Sequence, residues 1–152
     1  MVTTNPVDPC VAILVLNWNL PAETIACVES LLAGDYPRQH VAVIDNGSTD
    51  DSVTLLRDRL GQRITLLETG QNLFYAGGNN VGLRWAIEAG ADWVVVLNND
   101  TVVAPDMVSW LVRAAGALPK TGIVAPLVYW GGQAGRIWSM GRPAQGRLML
   151  VR

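Results

Sequence analysis

Asp92-Trp93-Val94-Val95-Val96-Leu97-Asn98-Asn99-Asp100-Thr101 is the stretch whose reading decides the fold. It begins as an unbroken apolar run rich in β-branched residues and ends abruptly in two amides and a carboxylate. Consecutive apolar residues without alternation predict a strand covered on both faces, the central strand of a sheet flanked by helices. Such sheets bind ligands just beyond the carboxyl ends of their strands, which is where Asn98, Asn99 and Asp100 fall. A carboxylate there offers hard oxygen ligands to Mg²⁺ or Mn²⁺, and the metal in turn can hold a diphosphate. The same three residues are also ordinary turn formers ahead of a helix, so this stretch alone leaves both readings open.

Upstream, Val11–Leu16 reads as a first buried strand closing in Asn17-Trp18-Asn19. Pro21 suits the first turn of a helix, whose stripe is Ile25, Val28 and Leu31/Leu32 and whose end is marked by Gly34 and Pro37. Val41–Ile44 is a second strand running into Asp45-Asn46-Gly47-Ser48-Thr49-Asp50, turn chemistry that also caps the next helix, with its stripe of Val53, Leu56 and Leu60. Gly61 closes that helix and Ile64–Leu67 gives a third strand. The Gly70–Gly82 segment, dense in glycine and asparagine, reads as a loop leading into a helix through Leu83, Ala86 and Ile87. Downstream, Pro105 opens a helix through Met107, Val108, Leu111 and Val112, and Ile123-Val124-Ala125 reads as a further strand before Pro126. The order β-α-β-α-β-loop-α-β-α-β predicts an α/β fold with a mainly parallel sheet, its strand-end loops gathered at one edge. After Tyr129 only Ile137–Met140 and Leu148–Val151 look strand-like, and an apolar run ending on Arg152 reads as a domain cut rather than finished.

Composition narrows the function. The chain has 152 residues, half of them hydrophobic, and a formal net charge of −2. One domain with a real core is expected, and disorder or a nucleic-acid binder reliant on a broad basic surface is disfavoured. Of the eleven cationic residues only Lys120 is lysine, a skew toward forked phosphate contacts that codon bias produces equally well. Cys10 and Cys27 form no CxxC pair and read as small buried hydrophobes of a reducing compartment. His40, the only histidine, precedes a strand and reads as structural or surface. No G-x-S-x-G elbow supports a serine triad. The N-terminus lacks the pattern of a secretory signal, and no apolar run approaches the roughly 18 residues of a spanning helix. The expectation is a cytoplasmic, soluble chain, with peripheral membrane contact left open.

Three polar clusters follow three buried strands: Asn17/Asn19, Asp45/Asn46 and Asn98/Asn99/Asp100. Together with the Gly/Asn segment they outline a nucleotide-shaped site at the carboxyl edge of the sheet. Asp45 can accept from a nucleobase N–H or ribose hydroxyls, or simply cap its own turn. Gly77 and Gly78 permit close backbone approach to a ligand, or supply positive φ. The spacing Gly77-Gly78-x-x-x-Gly82 is not a dinucleotide fingerprint, and no Gly-Lys-Ser/Thr of a P-loop is present.

Val15-Leu16-Asn17-Trp18-Asn19, Val43 through Ser52, Asn72 through Gly82 and Leu97 through Thr101, taken in order, resemble the motifs of family 2 glycosyltransferases. The Asn-Asn-Asp form, the Gly-Gly-Asn-Asn segment and Gly122-Ile123-Val124-Ala125-Pro126 are most similar to the rhamnosyltransferase-like branch. The resemblance runs from about residue 11 to about residue 130. It implies a GT-A fold, an inverting transfer from a nucleotide-diphosphate sugar (dTDP- or UDP-linked, rhamnose being the branch expectation) and a Mn²⁺ or Mg²⁺ ion. The acceptor implied is a glycan or a lipid-linked intermediate of polysaccharide assembly. Position by position, Asp45 would contact the nucleobase, the Asn17 segment would lie against the nucleoside, and Asn79 would be near the base. Asn98 would face the ribose or sugar and Asp100 would ligate the metal, with Asn19, Asn46, Gly78 and Asn99 as further candidate donor-binding residues. The family's catalytic base lies in a downstream acidic motif, whereas no Asp or Glu follows Asp106; the base is expected beyond Arg152. The implied organisation is a tail (1–10), a donor-binding subdomain (11–130) and the start of an acceptor-side region (131–152). The competing reading is an inactive nucleotide-binding or protein-interaction module of the same fold. Its strand-like C-terminus would recruit another chain, a second copy included.

Overall fold

The computed structural model describes residues 8–117, 119–133 and 135–139. They group into two compact units, one holding the chain up to Ala33 with Pro37–Ala104, the other Gly34–Tyr36 with the chain from Pro105 onward.

In the first unit the elements alternate: β1 (Val11–Asn17), α1 (Pro21–Leu32), β2 (Gln39–Asp45), α2 (Ser52–Leu60), β3 (Thr65–Glu68), α3 (Phe74–Glu88) and β4 (Trp93–Asn98). All strands pair in parallel, in the order β3-β2-β1-β4. The chain steps outward from β1 to β3 and then returns to the far side of β1 as β4, so the order reverses between β1 and β4. Open α/β sheets place their ligand crevice at such a reversal, outside the carboxyl ends of the strands. Because right-handed crossovers running in opposite directions put their helices on opposite faces, α3 covers one face and α1 with α2 the other. Leu14, Ala42 and Ile44 are wholly buried on the α3 face, with Leu16, Leu67, Val81 and Val94 packed around them. Alternation turns Ile13, Val15 and Val43 the other way, and these are also buried. At the opposite end of the sheet, the Cys10 N–H donates to Asp92 Oδ2 at 2.7 Å and fixes the entry to β4.

Two expectations need correction here. The segment from Gly70 is not a loop running to Leu83, since α3 begins at Phe74 and includes Gly77, Gly78 and Gly82 with helical, negative φ. Glycine weakens a helix by about 1 kcal/mol relative to alanine, but here packing overrides propensity. A Cβ on Gly82 would stand 2.9 Å from Ile44 Cδ1, and one on Gly78 would stand 2.5 Å from Leu16 Cδ1. Gly78, Gly82 and Ala86 recur every four residues, and this small-residue stripe lets α3 lie against the sheet. Secondly, β4 is the edge of the described sheet rather than its centre, and Val96 is 44% exposed. An apolar run reports coverage above and below a strand and says nothing about its lateral neighbours.

In the second unit, α4 (Met107–Ala117) follows Pro105, and β5 (Val128–Tyr129) pairs antiparallel with β6 (Ile137–Ser139). The Trp130 and Trp138 rings meet edge to face across this hairpin at 6.5 Å. No strand forms at Ile123–Ala125, and Ile123 is 91% exposed. The expected Leu148–Val151 strand lies outside the described residues.

Candidate functional site

The carboxyl ends of β1, β2 and β4 bring the three polar clusters together. Register sets Asn17 against Asp45 and Leu16 against Asn98, so Asn99 comes level with Asn17.

The innermost layer is a closed hydrogen-bond network. Asp45, only 2% exposed, accepts at Oδ1 from the Ser48 N–H (3.0 Å) and at Oδ2 from the Ser48 hydroxyl (2.6 Å) and Asn17 Nδ2 (2.8 Å). Asn17 gives its second amide proton to Ser48 Oγ (3.1 Å) and takes the Thr24 hydroxyl at Oδ1 (2.8 Å). Ser48 Oγ also receives the Asn19 N–H at 3.0 Å, which exhausts that hydroxyl. Thr24 in turn accepts from Asn99 Nδ2 at 3.0 Å. A continuous chain of side chains, Asp45–Asn17–Thr24–Asn99, therefore runs from the end of β2 beneath the end of β1 to the turn that carries Asp100.

A second bracket is built on Asn46, which is also buried. Its Oδ1 accepts from the Leu73 N–H (3.0 Å), and its Nδ2 donates to Asn72 Oδ1 (3.0 Å) and the Phe74 carbonyl (3.3 Å). This ties the turn after β2 to the start of α3. Asn79 donates to the Tyr75 carbonyl at 2.9 Å, while its Oδ1 is buried without a hydrogen-bond partner among the described residues.

The predicted site residues thus separate by depth. Asn17, Asp45, Asn46, Gly78 and Asn79 are buried, Asn19 and Asn99 half-buried, and Asn98 and Asp100 exposed. The glycine expectation changes accordingly: Gly78 serves helix-to-sheet contact, and neither Gly77 nor Gly78 has positive φ. Sequence reading missed Thr24, Ser48, Phe74 and Tyr75. For Thr24 there was a signal, because a polar residue stands in the stripe Thr24, Cys27, Val28, Leu31 that α1 buries. The Tyr75 hydroxyl reaches Asn98 Oδ1 at 3.4 Å, and Trp18, Phe74 and Tyr75 present exposed rings at this edge.

Two parallel strands ending in buried Asn17 and Asp45-Asn46, beside a third whose end presents Asn98, Asn99 and the exposed carboxylate of Asp100, match the ordered motifs read from the sequence. Residues 10–150 match the family described as Glycosyl transferase family 2. The chain belongs to glycosyl transferase family 2.

Among relatives of this family, the N-acetylglucosaminyl-diphospho-decaprenol L-rhamnosyltransferase of Mycobacterium tuberculosis is 34% identical over 96 residues. The match takes in 58% of this chain and 31% of that protein. The succinoglycan biosynthesis protein ExoO of Rhizobium meliloti is 28% identical over 109 residues, 72% of this chain and 30% of its own. The chain thus spans about a third of the length of these relatives. The mannosyltransferase PcManGT from Pyrobaculum calidifontis, solved with GDP-Man and Mn²⁺, superposes with a TM-score of 0.61 at 24% identity, covering 68% of this chain and 31% of that one. Staphylococcus aureus TarS 1-349 in complex with UDP-GlcNAc gives 0.61 at 16% identity, covering 78% and 38%. At those identities the likeness is one of fold, and it bears out the GT-A-like parallel α/β architecture. The rhamnosyltransferase relative bears out the branch read from the Asn-Asn-Asp and Gly-Gly-Asn-Asn segments.

Among the described residues no three His, Cys, Asp or Glu side chains gather as a metal site. A lone rim carboxylate suits a cation that arrives with a diphosphate, because Mg²⁺ is commonly held by one or two carboxylates plus substrate phosphates and water. Beneath the Asp100 turn, the Cys27 Sγ lies 3.7 Å from the Asn98 carbonyl and 3.8 Å from the Thr101 hydroxyl. Burial pushes this thiol up from its ordinary range; the Asp100 carboxylate adds to that, and the Thr101 hydrogen bond opposes it. Both cysteines are free and buried. They pack as small apolar groups, and no helix among the described residues is long and apolar enough to cross a membrane.

The network makes Thr24 a sharp test. Thr24→Val keeps its volume but leaves Asn17 Oδ1 without a donor in a fully buried position. The expected cost is about 2 kcal/mol, a fall in Tm of roughly 4–8 °C in a thermal melt. A melt indistinguishable from wild type would show that the chain from Asp45 to Asn99 is not held through this hydroxyl.

Proposed function

We propose that this chain is the donor-binding part of an inverting glycosyltransferase. It takes a dTDP- or UDP-linked sugar together with Mn²⁺ or Mg²⁺. The observation that carries this reading is the depth order at the strand ends: an internally satisfied layer under a rim that offers Asn98, Asn99 and Asp100. Asp100 would hold the cation that accompanies the diphosphate, and Asn98 and Asn99 would face ribose and sugar. Asn79, whose Oδ1 has no hydrogen-bond partner among the described residues, accepts from the nucleobase. Asp45 and Asn17, held by Ser48 and Thr24, position that rim from below, and Asp45, with three donors on about four lone-pair sites, keeps room for one more.

When bound, the cation neutralises charge that collects on the diphosphate as the sugar's C1–O bond breaks. The acceptor oxygen attacks C1 from the opposite face and gives its proton to a carboxylate base, a role assigned to no residue of this chain. Residues 11–130 form the donor side, and the chain from 131 begins the acceptor side, which receives a glycan or lipid-linked hydroxyl. Support comes from the rhamnosyltransferase relative and from fold neighbours solved with GDP-Man and Mn²⁺ or with UDP-GlcNAc.

Isothermal titration of UDP and dTDP, each with and without Mn²⁺, tests the reading. Saturable binding below millimolar that requires the metal is expected, and no metal-dependent heat with either nucleotide would overturn it.

A further inference from the structure

Of the described non-glycine residues with positive φ, Asn19, Phe74 and Lys120, Phe74 is the bulky one beside the strand ends. Its φ is +58°, in the left-handed region. For an L residue this backbone costs about 1–2 kcal/mol, and a bulky side chain there is a true outlier. Asn19 also has positive φ, but asparagine tolerates it and its side chain is used, accepting the Thr49 N–H at 2.8 Å. Phenylalanine has no such compensation. The Phe74 ring is 81% exposed and contributes nothing to the core.

The backbone around it is nevertheless held tightly. The Phe74 N–H donates to Asn72 Oδ1 at 2.8 Å and its carbonyl accepts from the buried Asn46 amide at 3.3 Å. Two side chains thus clamp the peptide in an arrangement that glycine would adopt freely. Strain held in place by its surroundings, at a residue whose side chain is largely exposed, is characteristic of a ligand-contacting position. Its neighbours identify the ligand: Asn46 directly follows Asp45 at the end of β2, and the adjacent Tyr75 reaches Asn98 at the end of β4. A flat, unpaired ring at the β2 side of the strand ends is suited to a flat partner.

We propose that the Phe74 ring is the face on which the donor's nucleobase stacks, an inference that rests on the nucleotide-sugar reading above. Stacking of a base on an aromatic side chain tolerates base identity, because every base has a π-face. Phe74 therefore supplies affinity for the nucleoside, while the choice between bases falls to polar groups such as Asn79.

The test is Phe74→Gly, which removes the ring and relieves the backbone together. UDP, dTDP, UDP-glucose and inorganic pyrophosphate, each with Mn²⁺, are titrated against wild type and variant. About tenfold weaker binding of both nucleotides is expected, with the same factor for UDP-glucose, unchanged pyrophosphate binding, and a Tm at or above wild type. Phe74→Trp should retain wild-type nucleotide affinity. Undiminished UDP affinity in Phe74→Gly overturns the stacking. So does an equal loss for pyrophosphate, a loss confined to UDP-glucose, or a lowered Tm, which would make the ring part of the packing. Wild-type protein that binds neither UDP nor dTDP overturns the donor-site reading and this inference together, whereas normal wild-type binding with an unaffected variant overturns only the stacking.

Discussion

Asp100→Ala is expected to abolish the metal dependence of nucleotide binding while leaving the unliganded protein's stability untouched. The side chain is exposed at the rim of the strand ends, so truncating it falls in the class of surface changes worth within about 0.5 kcal/mol. Its proposed partner is a divalent cation that takes most of its other ligands from the diphosphate and from water. With no cluster of three His, Cys, Asp or Glu among the described residues to hold an ion by itself, removing this carboxylate should remove the protein's anionic anchor for the ion. UDP affinity measured with Mn²⁺ should fall a hundredfold or more, about 2.7 kcal/mol, to the level wild type shows in EDTA. Adding EDTA to the variant should then change nothing. A variant that still binds UDP more tightly with Mn²⁺ than without would place the cation elsewhere, and Asp100 would revert to a turn residue. A matching pair of melts, unchanged for Asp100→Ala and lowered for Thr24→Val, would separate the rim that meets the ligand from the layer that supports it.

The sequence made the alternation of strands and helices legible because β1, β2 and β4 are short apolar runs and α1 and α2 carry clean apolar stripes. It also placed Asp45, Asn98 and Asp100 at strand ends, since polar residues that follow a buried run have nowhere else to go. Three things were not legible, each for its own reason. The start of α3 was hidden because Gly77, Gly78 and Gly82 are poor helix formers, and only the nearness of Leu14, Leu16 and Ile44 makes them useful. The lateral place of β4 depends on chain reversal across β1, which no local pattern encodes. The depth order within the site depends on which amides find partners. Asn17 and Asn98 look alike in sequence, yet one is saturated by Asp45, Ser48 and Thr24 and the other stands at the rim. Ile123–Ala125 erred in the opposite direction: β-branched content alone does not make a strand, and Ile123 stands 91% exposed.

Gly47→Ala should be among the most destabilising single-methyl additions available in this unit. Gly47 has a φ of +73°, and a Cβ there would meet Gln71 C at 2.4 Å, Gln71 Cα at 2.6 Å and Asn72 N at 2.7 Å. Those are backbone atoms, which cannot rotate aside as a leucine tip can. The left-handed backbone contributes about 1–2 kcal/mol and the overpacking about 1–3 kcal/mol more. The combined expectation of about 4 kcal/mol corresponds to a Tm lower by roughly 8–16 °C. Gly70→Ala is the internal control, because it shares the positive φ, +70°, but has nothing within 4 Å of the added methyl; it should cost only the conformational part, about 1 kcal/mol. The difference between the two variants isolates the contact between the turn after β2 and the β3–α3 connection. That contact carries functional weight, since Asn46 beside Gly47 holds Leu73 and Phe74 by its amide. Pushing the two segments apart should loosen Phe74 and weaken UDP binding in the fraction that remains folded. If Gly47→Ala melts no lower than Gly70→Ala, the connection yields to the methyl, and the clamp that holds Phe74 in its left-handed backbone is not a rigid one.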